Sequence, residues 1–262
     1  MRSVFKNISW RAIRVWQRNF DVYLKTWKVN FVPPLLEPIF YLFAFGLGVG
    51  NLVTAVTFEG RQVPYLQFIA PGLIAVTTMN HGFFETSYAS FVRMYFQKTY
   101  DAILSTPLTI EDVVLGELIW AATKSVFAAL IMFAVAMAMG LLSFPNASWI
   151  LPVCLIAGMV FASLGMCFTA MVRTIEMFNL PVFLFVTPMF LFCGVFFPLA
   201  SLPSWIQHVA WLLPMTHLVS ALRTISLGGM QRGILIEIFV LILMALVFPF
   251  LSIVMMKRRI LK

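Results

Sequence analysis

Apolar residues in this chain come in long runs rather than in alternation. Windows of about 20 residues with little or no charge recur, each long enough to cross ~30 Å of hydrocarbon as a helix. The runs predict six spans, roughly Phe31–Leu52, Val63–Phe84, Ile110–Leu142, Trp149–Val172, Met177–Cys193 and Ile234–Met256. No sustained period of two supports a barrel. Ahead of the first run the pattern changes. Across residues 3–29, Phe5, Ile8, Ala12, Trp16, Phe20, Tyr23 and Trp27 recur at three- and four-residue steps. Arg11, Arg14, Arg18, Asp21, Lys25 and Lys28 recur on another face. That predicts an amphipathic helix in the membrane interface, aromatics dipped in and cations toward headgroups. A helix that binds a partner is the alternative.

The punctuation of the runs predicts their joints. Pro33, Pro34 and Pro38 crowd the start of the first span, so a kink or break is expected there. Thr109-Ile110-Glu111-Asp112 reads as a helix N-cap with acids in the first turn, which starts the third span near Ile110. Ser143–Ser148 and Arg173–Glu176 read as tight turns, and Pro181 and Pro188 interrupt the fifth span. Residues 194–230 are apolar but broken by Gly194, Pro198, Pro203, Pro214, Gly228 and Gly229. Short helices that dip into the outer leaflet and return fit that pattern, because irregular backbone at such depth must be covered by protein or face water.

Composition sharpens this picture. Hydrophobic residues make up 61%, charged residues 11%, and the mean hydropathy is +0.96, which excludes an ordinary soluble globule. The fold class expected is an all-α polytopic membrane protein, in one domain over 1–262. The net charge of +8 is a topology signal rather than a nucleic-acid signal. Seven Lys/Arg precede the first span and four follow the last. By the positive-inside rule both termini and the connector after the second span face the cytoplasm. The basic N-terminus lacks the short apolar run and small-residue cleavage site of a signal peptide. Cys154, Cys167 and Cys193 all lie in apolar runs without CxxC spacing, so buried reduced thiols are expected.

Polar chemistry is concentrated in one island, Phe84–Glu117. It holds Glu85, Asp101, Glu111, Asp112 and Glu117, five of the ten acidic residues. No GxxxxGK[ST], HExxH or GxSxG occurs, so the chain has no P-loop, zincin or serine-hydrolase signature. Ionisable residues near membrane depth are Glu37, His81, Glu85, Glu117, Lys124, Glu176 and Glu237. His81 and Glu85 are one helical turn apart and within pairing reach. Glu117 and Lys124 are two turns apart, too far for a direct pair. Tyr41, Tyr65, Tyr88 and Trp120 offer flat faces with polar edges that suit amphipathic ligands such as sugars on lipid tails.

The order of parts resembles an ABC-2-type exporter permease. LLEPIFYLFAFGLGVG, YLQFIAPGLIAV, FETSYASFVRM, DAILSTPLTIEDVVLGE, FASLGM and LFCGVFFPLASLP are similar to the permease of nodulation lipo-chitooligosaccharide exporters. FETSYASF and EDVVLGE are most specific to that subgroup, and Gly-x-Phe-Phe-Pro is general to ABC-2 permeases. The resemblance implies a transport subunit of the bacterial inner membrane with no catalysis and no cofactor of its own. A separate ATPase dimer of the nodulation-exporter type would bind ATP and magnesium, and a second permease copy would complete the channel. It implies a coupling helix over 96–107, with Tyr100, Asp101, Ile103 and Leu104 contacting the ATPase. Glu85, Tyr88 and Glu117 would transmit the movement. It also implies an interfacial helix at the N-terminus, a re-entrant hairpin at 194–230, and a path between spans one and five lined by Tyr41, Phe45, Phe178 and Phe185. Membrane lipid and an amphipathic substrate are the other partners. Export of a hydrophobic drug-like molecule is the alternative, and an ion-coupled secondary transporter a weaker one, since no internal repeat or mid-membrane acid pair is visible.

Overall fold

The computed structural model describes residues 8–58, 60–142, 149–228 and 232–260. Its first helix, α1 (Ala12–Lys25), ends at Thr26, whose backbone (φ −111°, ψ 22°) breaks it from α2 (Trp27–Phe43). The Thr26 hydroxyl caps the joint by donating to the Val22 carbonyl. The break therefore precedes the prolines. Pro33, Pro34 and Pro38 lie inside α2 and delete its hydrogen bonds to three upstream carbonyls without ending it. A π-helical turn, Ala44–Val49, extends α2. A short antiparallel pair follows, β1 (Ala55–Phe58) and β2 (Arg61–Pro64), with Val56 opposite Val63. It was not visible as a pattern in the sequence.

Helix α3 (Tyr65–Phe84) is the axis of the molecule, with most of its side chains buried. It does not stop at the polar island. A π-helical turn over Glu85–Ala89 carries it into α4 (Ser90–Tyr95). Ser87 and Thr86 return hydrogen bonds to the Phe83 and Gly82 carbonyls, which satisfies hydroxyls the fold has buried. Lys98 then adopts the left-handed region (φ 53°) and starts α5 (Thr99–Leu104) in a new direction.

Helix α6 (Ile110–Ala138) opens on the expected cap. The Thr109 hydroxyl accepts from the Asp112 amide, and the Asp112 carboxylate accepts from the Thr109 amide. Helix α6 ends before Leu142, at a turn where Gly140 takes φ 72°. The turn expected at Ser143–Ser148 lies outside the described residues. Helix α7 (Ile150–Met171) packs tightly on α3 and α6 through small residues. A Cβ on Gly165 would lie 2.5 Å from the Phe83 carbonyl. Segment α8 (Ile175–Phe192) is broken into 3₁₀, α and π turns around Pro181 and Pro188.

The broken region holds short helices, α9 (Ser204–Ala210) and α10 (Pro214–Arg223), before α11 (Arg232–Ile260). Residues 229–231 of the expected hairpin lie outside the described residues. Arg223 is buried and fixes this region to the bundle. Its guanidinium donates to the carbonyls of Phe68, Gly194 and Val195 and lies 3.7 Å from the Phe68 ring centroid.

Among the described residues, five helical segments are long and apolar enough to cross a membrane: Trp27–Val49, Ile110–Ala138, Ile150–Met171, Ile175–Phe192 and Gly233–Ile260. The protein is an all-α polytopic membrane protein. Helix α3, expected as the second span, is long enough at 20 residues but is not among the five. It faces protein rather than lipid, so it tolerates Gln67, Thr77, Thr78, Asn80 and His81.

Candidate functional site

A buried ionic network occupies the polar end of the bundle, built from α1, the α3–α4 junction and α6. Arg93 sits at its centre. Its Nη1 donates to Glu85 at 2.8 Å and its Nη2 to Glu117 at 2.5 Å. Glu85 also accepts from the Lys124 ammonium at 2.7 Å and the Trp120 indole at 3.0 Å. Glu117, wholly buried, also accepts from Ser90 at 2.7 Å and from Asn19 at 3.0 Å. Charges taken from water cost several kcal/mol each unless paired and hydrogen-bonded, and here each carboxylate has three donor groups. The pairing expected between His81 and Glu85 is absent, because Glu85 points to Arg93, Lys124 and Trp120. Glu117 and Lys124 do not meet, as their spacing predicted.

The N-terminal amphipathic helix is part of this site. Ala12, Val15 and Asn19 are buried against α6, where Gly116 lets the backbones approach. A Cβ at Gly116 would lie 2.6 Å from the Ala12 carbonyl and from the Val15 Cβ. Trp16 donates to the Thr123 hydroxyl, and Phe20 and Tyr23 pack edge-on against Trp120. Much of the face expected to dip into lipid is thus docked on the chain's own α6. Trp10, Val22 and Leu24 stay exposed.

The predicted coupling residues divide. Asp101 is exposed, with Lys98 3.9 Å away. Ile103 and Leu104 are half-buried against the core at this end. Tyr100 is buried and points inward, beside Glu117, Arg93 and Ser90. Burial holds its phenol well above the ordinary range, and the charge of Glu117 adds to the effect. Tyr88 packs on Phe178 at 4.9 Å between centroids. Phe178 is fully buried there. The four predicted path residues are not brought together. Tyr41 stacks on Phe45, which meets Phe196 of the broken region at 4.9 Å, whereas Phe185 meets Phe168 of α7 at 5.7 Å.

Next to the network is a cavity of about 760 Å³ between α1–α2 and α3. Glu37, Asn80, His81, Tyr88 and Lys124 line it. Sequence reasoning missed Arg93, Asn19 and Ser90 as members of the site. The eight-residue spacing of Glu85 and Arg93 was the available signal, and it has meaning only once α3 is known to run on through the island.

The family described as ABC-2 type transporter matches residues 12–227. The chain belongs to the ABC-2 type transporter family. It is 37% identical over 252 residues to Nodulation protein J of Sinorhizobium fredii, covering 96% of this chain and 95% of the relative. It is 38% identical over 250 residues to Nodulation protein J of Rhizobium meliloti, covering 95% and 94%. It is 23% identical over 225 residues to the inner membrane transport permease YadH of Escherichia coli, covering 85% of each. As an ABC-2 permease, the chain is an integral membrane transport subunit. Its family match takes in α1, the ionic network, α5 and the Arg223-pinned region.

Proposed function

We propose that the chain is the membrane half of an ATP-driven exporter that moves an amphipathic molecule, a lipo-oligosaccharide or related glycolipid, out across the bacterial inner membrane. Two copies pair with two ATPase subunits of the nodulation-exporter type, which bind ATP and magnesium. The observation that carries the reading is α5. A left-handed Lys98 turns this short helix out at the polar end, Tyr100 roots it in the core, and Asp101, Ala102 and Ser105 face solvent. It is suited to seat in a partner's cleft and to pass force into the Arg93 network. The chain has no P-loop to drive itself.

In this reading both termini and α5 are cytoplasmic, α3 is the sixth span, and α9–α10 form a re-entrant hairpin at the outer face. ATP closure moves α5. The movement passes through Glu85, Arg93, Tyr88 and Glu117 to α3 and α6 and rearranges α2 against α8, where the substrate path opens. Tyr41 and Phe45 lie on the α2 side of that path, and Phe178 and Phe185 on the α8 side.

The test is co-purification. Asp101→Lys lowers recovery of a co-expressed ATPase while the permease still inserts. Undiminished recovery removes the docking assignment. Vanadate-sensitive glycolipid transport in vesicles holding both subunits tests the export reading itself.

A further inference from the structure

We infer that the cavity between α1–α2 and α3 receives the uncharged polar headgroup of an amphipathic molecule, a glycan-like group carrying hydroxyls and amides. The inference rests on the export reading above. Its volume, about 760 Å³, falls within the range of about 300–1,000 Å³ typical of small-molecule sites.

The charges in its wall are already held. The Arg93 guanidinium lies 2.8 Å from Glu85 and 2.5 Å from Glu117, and the Lys124 ammonium lies 2.7 Å from Glu85. A phosphate or sulfate would have to compete with those carboxylates. Arg18 is the exception, since it donates to Asn19 and Thr99 rather than to an acid, but one cation is not a phosphate cluster. The groups left open suit a neutral ligand. Asn80, His81 and Gln97 line the space, and among the described residues their side chains make no hydrogen bond. The Glu37 carboxylate faces the same space, and among the described residues no cation is bonded to it. Amides and an imidazole both donate and accept, and a carboxylate accepts from hydroxyls, which is the complement of a sugar. The Tyr23 and Tyr88 rings add flat apolar surface.

Helix α2 accounts for the rest of an amphipathic ligand. Glu37 and Asn30 line the cavity, while Val32, Leu36, Phe40 and Phe43 of the same helix are exposed. A headgroup inside the cavity leaves its apolar tail along that outer flank.

The probe is an alkyl β-glucoside with a photoreactive diazirine on the sugar, applied to the permease in nanodiscs. Labelling is expected within residues 18–37, 80–97 and 120–124. Excess unlabelled alkyl glucoside should compete, and phosphatidylglycerol should not. The double variant Glu37→Leu/Asn80→Leu removes two hydrogen-bonding groups and should cut labelling about tenfold or more. Gln97→Leu, at an exposed position, supplies a second test if the double variant does not fold, and should also weaken labelling. Labelling confined to other segments, displacement by phosphatidylglycerol, or insensitivity to the folded variants would overturn the inference. Transport assayed in parallel separates the two readings. Vanadate-sensitive export without cavity labelling sinks the site alone, and cavity labelling without ATP-dependent export sinks the export reading alone.

Discussion

Replacing Arg93 with alanine tests the idea that the polar end is held by a closed ionic circuit. In the intact protein Glu85 and Glu117 face Arg93 and Lys124, two acids and two bases. Arg93→Ala leaves two buried carboxylates to one ammonium, a net charge of −1 in a site where Glu117 is wholly buried. Breaking a buried pair from one side costs about 3–5 kcal/mol. The Arg93 side chain retains 13% exposure, which places its loss toward the lower figure. Glu117→Ala alone leaves Arg93 with Glu85 and strands the Ser90 and Asn19 donors. The double variant keeps a neutral Glu85–Lys124 pair, so its cost should fall short of the summed single costs by about 2 kcal/mol. Reversible unfolding in mixed micelles, titrated with SDS and followed by tryptophan fluorescence, gives the three free energies. Additivity within about 0.5 kcal/mol would refute the circuit.

Three further outcomes are expected. Gly116→Ala puts a methyl where the Ala12 carbonyl and Val15 already sit, and should cost about 1–3 kcal/mol. Limited proteolysis should then cut between α1 and α6, and an unchanged digest would contradict the packing. Thr109→Ala removes the capping box and should cost about 0.5–2 kcal/mol in the same unfolding assay, with Thr109→Ser restoring most of it. In the hairpin region His217 offers Nδ1 to Glu237 and Nε2 to the Trp211 carbonyl. Burial opposes its charge, but those two acceptors outweigh burial and raise its pKa above the ordinary 6.5. The stabilisation is therefore complete below about pH 6.5 and is lost as pH rises through the higher folded value. Amide protection over 214–223, corrected for the base-catalysed rise of intrinsic exchange, should fall on going from about pH 6 to pH 8, and His217→Gln should abolish that fall.

The local part of the structure was legible because it depends on neighbours in sequence. The apolar runs marked the long helices by their length. Thr109 and Asp112 marked the start of α6, since a cap is completed within four residues. Pro181 and Pro188 marked the irregular α8. Three cysteines in apolar runs are indeed buried and free. The prolines of α2 do not end it, and the break at Thr26 has only its own dihedral angles to mark it.

Membership of the membrane class and the ABC-2 likeness lay in composition and local segments, which survive without a fold. What the sequence could not specify was which polar residues meet. Asn19, Ser90, Arg93 and Glu117 span nearly a hundred positions, and only the tertiary structure brings them to one buried point. It does so because a π-helical turn carries α3 on into α4 across the first part of the island, and because Gly116 lets α1 settle on α6. Burial then decides the chemistry. The same side chains in a solvated connector would be ordinary surface charges, whereas inside the bundle each must find its partner.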